Sequence, residues 1–193
     1  MDRVEPLYML DTNIMSYLME RPGSERLAHC QKRLDSLTGR VAISVIVQAE
    51  IFAGLEKKNS NRKELRLREL MREIRVEYLD RGLWFSDLYA CIRSASEQRG
   101  QRIEQFDAAI AAHAMALGAT LISKDKGLAR VEGLKLESWD VPGISDRQHA
   151  PRVSEPAAAY LSRLSDTRFG WAETPTFWMT GTRGATYVGA HAR

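Results

Sequence analysis

The chain has 193 residues, with 28 basic and 25 acidic side chains, so its formal net charge is +3. That balance excludes a histone-like polycation and an acidic solvating tail, and the length suits one domain with an appendage. With 44% hydrophobic and 27% charged residues the chain can bury a core, while its two cysteines, Cys30 and Cys91, are too few for a disulfide framework. A reducing cytosol is the expected setting. No secretory signal is visible in Met1-Asp2-Arg3-Val4-Glu5-Pro6, and the longest apolar stretch, 108–122, is too short to span a bilayer.

The elements alternate between strand and helix. Residues 7–10 are a short apolar strand, followed by a helical segment to about Met19 and a stop at Pro22-Gly23. Val41-Ala42-Ile43 reads as a second strand, with Ser44 capping a helix through Leu55. Residues 62–74 form an amphipathic helix with Leu67, Leu70, Met71 and Ile74 on one stripe. Residues 76–79 suit a third strand, and 84–99 a helix that turns Leu88, Tyr89, Ile92 and Ala95 inward. Asp107 opens an Ala-rich helix to Leu117, closed by Gly118. Thr120-Leu121-Ile122 and 134–137 are the last two strands. This alternation implies an α/β fold, a parallel sheet covered on both faces.

Composition changes near Val141. Residues 141–193 hold four of the six prolines, no lysine, and six arginines against four acids. Only 155–165, with Pro156 at a helix start, suggests an element there. The organisation expected is a domain over 1–140 and a largely disordered extension over 141–193.

In such a sheet the carboxyl ends of strands and the amino ends of helices share one edge, where ligands bind. Asp11 follows the first strand, Asp125 lies beyond the fourth, Asp107 stands at the start of the helix leading into the fourth, and Glu50 is early in the helix after the second. If the first strand is central, all four acids meet in one crevice. Taken singly, Asp11 and Asp107 read as helix caps, Glu50 as a solvated acid and Asp125 as a turn residue. Taken together they repel one another unless a cation joins them. Oxygen ligands without nearby Cys or His favour Mg²⁺ or Mn²⁺ over Zn²⁺, and such a site suits phosphate chemistry.

Met9-Leu10-Asp11-Thr12-Asn13, Ile43-Ser44 with Ala49-Glu50, Phe106-Asp107-Ala108-Ala109-Ile110-Ala111-Ala112-His113-Ala114 and Leu121-Ile122-Ser123-Lys124-Asp125 together resemble the PIN-domain family. The likeness is greatest to its VapC and FitB group of toxin–antitoxin ribonucleases and covers roughly residues 7–140. It implies a three-layer α/β/α sandwich with a central parallel sheet. It also implies a metal-dependent endoribonuclease acting on RNA in the cytoplasm, a homodimer, and a small cognate antitoxin. Asp11, Glu50, Asp107 and Asp125 match the four acidic positions, as catalytic residues and ligands of Mg²⁺ or Mn²⁺. Asn13 and Ser44 match polar positions that orient a ligand or water. The chain departs from the pattern at Val47, where a hydroxyl residue is common, at Lys124, where Asn is frequent, and at Leu128, where Phe is common.

Among the remaining basic residues, Lys124 and Lys126 are the candidates for substrate phosphate contact. The run from Lys57 to Arg75, interleaved with Glu56, Glu64, Glu69 and Glu73, reads as a solvated helix face. His113 reads as a packed residue and Cys91 as a small buried hydrophobe. The alternatives are a non-catalytic PIN-fold binding module and a haloacid-dehalogenase-type phosphatase. The phosphatase needs a second Asp two residues after the first, where this chain has Asn13.

Overall fold

Three-residue and four-residue strands carry the whole sheet. The computed structural model describes residues 7–20, 25–58, 60–79 and 83–139. The extension 141–193 and the helix expected over 155–165 lie outside the described residues. Strand β1 (Tyr8–Leu10) is followed by helices α1 (Thr12–Leu18) and α2 (Glu25–Ser36), then β2 (Val41–Ser44), α3 (Val45–Lys58), α4 (Asn61–Leu70) and β3 (Arg75–Glu77). Helices α5 (Leu83–Gln98) and α6 (Gln105–Ala116) lead to β4 (Thr120–Ile122), a single 3₁₀ turn (Leu128–Arg130) and β5 (Lys135–Glu137).

The strands are all parallel, in the order β3-β2-β1-β4-β5. Helices flank this sheet as the three-layer α/β/α reading requires. A parallel pair cannot be joined by a tight turn, so each connection crosses over through at least one helix or a wrapped loop. The chain leaves β1 towards β2 and β3, then returns through α5 and α6 to place β4 on the other side of β1. That reversal is a topological switch point, with Leu10 paired to both Ile43 and Ile122. Central strands buried on both faces need continuous apolar sequence: Met9, Leu10, Val41, Ala42, Ile43, Leu121 and Ile122 are all buried.

Helix α6 lies against the sheet. Ala108, Ala111, Ala112 and Ala114 are wholly buried, alongside the larger Ile110, His113 and Met115. Its end is set by Gly118, whose positive φ of 64° lets the Ala119 N–H reach back to the Ala114 carbonyl at 2.9 Å. The chain then enters β4 without a loop.

Several local expectations are corrected. Helix α2 is absent from the sequence reading altogether. The helix expected at 62–74 ends at Leu70, although Ile74 remains buried in the turn that follows. Asp107 does not open its helix: α6 begins at Gln105 and puts Asp107 in its first turn. The third strand is shifted to Arg75–Glu77, leaving Tyr78 and Leu79 exposed. Cys91 is only half-buried, and Cys30 is the buried thiol. On the charged face of α4 the exposed Arg68 pairs with Glu64 at 2.6 Å, whereas Arg66, paired with Glu69 at 3.0 Å, is half-buried and also donates to the Leu18 carbonyl and Gln31. Among the described residues no helix is long and apolar enough to cross a membrane.

The last described residue, Trp139, is wholly buried and fastens the edge strand β5 to α2. Its carbonyl accepts from Cys30 Sγ at 3.5 Å, its indole N–H donates to Glu137 at 3.2 Å, and the Arg33 guanidinium lies 5.8 Å from its ring centre. Arg33 also pairs with Glu137 at 2.6 Å. Trp139→Ala is expected to cost about 3–5 kcal/mol, the usual toll for emptying a buried tryptophan site. Urea unfolding followed by circular dichroism measures it.

Candidate active site

Asp11 is the first residue past β1 and the N-cap of α1. Its Oδ1 accepts the Ile14 backbone N–H at 2.7 Å, so the capping role foreseen for it is real. Its Oδ2 accepts the Ser123 hydroxyl at 2.5 Å. The Asp11 N–H donates to the Ile122 carbonyl at 3.1 Å, which fixes the ends of β1 and β4 side by side. Ser123 also accepts the Asp125 N–H at 3.0 Å, and Asp125 Oδ1 accepts the Gly127 N–H at 2.6 Å. One chain of hydrogen bonds thus runs from the α1 N-terminus to the loop after β4. A Cβ at Gly127 would stand 3.1 Å from the Asp125 Oδ1 and press on that carboxylate.

Glu50 arrives from the adjoining helix α3, and its Oε2 accepts the Thr12 hydroxyl at 2.5 Å. Asp107 is half-buried in the first turn of α6. Burial pushes its carboxyl up to about 6, and the charges of Asp125, Glu50, Asp11 and Glu104 push in the same direction. Those charges place all four expected acids in one field. Burial also raises Asp11, which is 4% exposed, against hydrogen bonds from Ser123, Ile14 and Asn13 and the charge of Lys124.

Asn13 is exposed and bonded to Asp11. Ser44 lies deeper: it is wholly buried, accepts the Ile46 N–H at 3.1 Å and shares a 2.8 Å hydrogen bond with His113 Nδ1. It ties the start of α3 to the last turn of α6, one element holding Glu50 and the other Asp107. His113 is packed, with Phe85 edge-on at 6.2 Å, and burial holds its imidazole below the usual range against Glu77 and a backbone bond to Tyr78. Val47 is buried in α3, facing the core. Lys124 and Lys126 are exposed on either side of Asp125. Thr12 and Ser123 were not foreseen as partners of the acids. Their position, each one or two residues from an acid within a short motif, is the signal that marks them.

The donor set fits a hard divalent cation: carboxylate oxygens, no thiol or imidazole, and a mutual repulsion that such a cation would relieve. Among the described residues no three of these side chains are gathered as a preformed coordination cluster. Their oxygens are instead turned to Ser123, Ile14, Thr12 and Gly127, each keeping lone pairs to offer.

A family model of the PIN domain matches residues 8–134. The chain belongs to the PIN-domain family. It is 32% identical to Ribonuclease VapC2 of Rickettsia felis over 135 residues, which cover 69% of this chain and 98% of that protein. It is 28% identical to the tRNA(fMet)-specific endonuclease VapC of Shigella flexneri over 134 residues, 68% of this chain and 97% of the relative. The crystal structure of Rickettsia felis VapBC2 bound to a promoter DNA fragment superposes with a TM-score of 0.59 at 32% identity, covering 69% of this PIN chain and 99% of the other.

The Asp107 carboxyl takes up its proton more readily in the folded PIN domain than in the unfolded chain, where its value is the ordinary 3.8. Its contribution to stability is therefore full below pH 3.8 and lost as the pH rises through about 6. In EDTA the wild-type melting temperature is expected to fall across that window relative to Asp107→Asn, which removes the titrating group. Saturating Mn²⁺ is expected to raise wild type more than the variant at pH 7. Parallel thermal melts from pH 4 to 8 test both.

Proposed function

We propose that this PIN domain is a metal-dependent endoribonuclease that hydrolyses RNA phosphodiester bonds and serves as the toxin of a toxin–antitoxin pair. The observation that carries this reading is the shared field of Asp11, Glu50, Asp107 and Asp125 at the β1/β4 switch point, where the other three add to burial in raising Asp107 to about 6. The ribonuclease names of its relatives point the same way. The toxin role and a cognate antitoxin partner are supported by the superposition on the VapBC2 complex. A homodimer in the cytoplasm is the expected form. Residues 1–140 are proposed as the catalytic unit and 141–193 as an extension to it.

Mg²⁺ or Mn²⁺ held by the four carboxylates would lower the pKa of an attacking water and offset charge on the phosphate. Asp107 would be one of the cation's ligands, and the repulsion that adds to burial in raising its carboxyl to about 6 is what the cation would relieve. Asp11 is held by its donors Ser123, Ile14 and Asn13, which together with the Lys124 charge counter the burial that raises its carboxyl. Asn13 orients it from the solvent side. Ser44 acts at one remove, by holding α3 against α6. Lys124 and Lys126 supply phosphate contacts at the rim. In-line attack by water leaves a 5′-phosphate and a 3′-hydroxyl and makes no use of the ribose 2′-hydroxyl as nucleophile.

The test is incubation of the purified chain with total cellular RNA and with initiator tRNA, in Mn²⁺, Mg²⁺ or excess EDTA, with the ends mapped by sequencing. Discrete cuts with 5′-phosphates are expected, lost in EDTA and reduced at least about a hundredfold in Asp11→Asn, which keeps its fold. A folded chain that binds Mn²⁺ yet leaves every RNA intact overturns the reading in favour of a non-catalytic PIN module. Hydrolysis of small phosphomonoesters alone favours the phosphatase.

Ser44→Ala separates positioning from chemistry. It removes the hydroxyl shared by His113 and Ile46, so a stability loss of about 1–3 kcal/mol is expected in chemical denaturation. Mn²⁺ affinity is expected to fall far less than in Asp11→Asn when both are titrated calorimetrically.

A further inference from the structure

Lys124 and Tyr17 are 107 positions apart in the sequence and meet at the rim of the carboxylate crevice. The Lys124 Nζ donates to the Tyr17 hydroxyl at 2.7 Å and lies 4.3 Å from the centre of its ring. An exposed lysine ordinarily keeps its rotamer freedom, worth about 2 kcal/mol, so two contacts to one aromatic side chain are a specific restraint. The root of the side chain is fixed as well. Lys124 stands between Ser123, which donates to Asp11, and Asp125, whose N–H returns to Ser123. The result is a cation held close enough to Asp11 to act on its carboxylate. An ammonium group has three protons; Tyr17 takes one and two remain for an incoming oxyanion. Lys126, two positions on, has no side-chain partner among the described residues and is free to sample solvent.

We propose that Tyr17 is a positioning residue, which holds the Lys124 ammonium at the crevice mouth as a docking point for a phosphate of the substrate strand. The inference rests on the ribonuclease reading for the identity of that strand. It assigns unequal roles to the two lysines: Lys124 is a fixed docking charge, whereas Lys126 makes its phosphate contact from an unrestrained side chain. The rival role for Lys124 is that of a counter-charge to the acids, one that a bound metal would displace.

Equilibrium binding of a fluorescein-labelled 15-nucleotide single-stranded RNA to the full chain decides between them. The medium contains Ca²⁺, a hard divalent cation that activates water poorly, and salt is varied. Lys124→Met is expected to weaken binding about tenfold and to lower the slope of log affinity against log salt by about 0.7, the value of one phosphate contact on a single strand. Tyr17→Leu is expected to weaken binding about three- to fivefold, the worth of a cation–π contact at an exposed site, and Tyr17→Phe less. The double variant should bind like Lys124→Met alone, because Tyr17 acts through the lysine. Mn²⁺ affinity should be unchanged in both Tyr17 variants.

Additive effects of Tyr17→Leu and Lys124→Met overturn the proposal, as does a Lys124→Met chain with an unchanged salt slope and tighter Mn²⁺ binding. Coupled RNA binding by a wild-type chain that cleaves no RNA in Mn²⁺ leaves the docking role standing and removes the nuclease. Cleavage without coupling does the reverse. Tyr17→Phe keeps the ring and its packing, so the comparison survives if Tyr17→Leu fails to fold.

Discussion

The hydrogen bond from the Ser123 hydroxyl to Asp11 joins the ends of the two strands at the switch point, and the rest of the site is arranged around it. Because β1 and β4 are neighbours, a residue one step past each strand is brought next to the other without any long loop. Asp11 receives one donor from α1 and one from the β4 loop, which allows a nearly buried carboxylate to persist. Asp125 is held in turn by the same serine and by Gly127. The scaffold therefore supplies donors to Asp11, to Asp125 and, through Thr12, to Glu50.

Burial raises two of these acids, Asp11 and Asp107, and at Asp107 the charges of its neighbours add to it. The helix that carries Asp107 buries four alanines together with Ile110, His113 and Met115. The Ser44–His113 contact fixes its rotation relative to α3.

Much of this was legible in the sequence because the informative residues sit where strand and helix meet. A run such as Met9-Leu10-Asp11 announces both the strand and the edge at which it ends, and Gly118 marks the stop of α6 by the backbone angle it permits. The PIN-domain resemblance and the parallel sandwich followed from that order. Helix α2 was hidden by Pro22-Gly23, which reads as a stop, and by a sequence rich in charge; its anchor is Trp139, more than a hundred positions away. The start of α6 at Gln105 was missed because Glu104 makes no side-chain capping bond to advertise it. Ser44 was foreseen as polar and close to the pocket, yet its partner is a histidine across the core, a pairing that no local pattern encodes. Tyr17 was invisible for the same reason, being one aromatic residue in a short helix until Lys124 is folded onto it.

The polarity of the parallel sheet also governs how the molecule tolerates additions. Trp139 follows the carboxyl end of β5, and Leu7 precedes the amino end of β1, so the two lie on opposite edges. A reporter placed at Ser138 would therefore stand on the rim that holds the carboxylates and respond to whatever approaches them, whereas one placed at Leu7 would stand behind the sheet as a bystander.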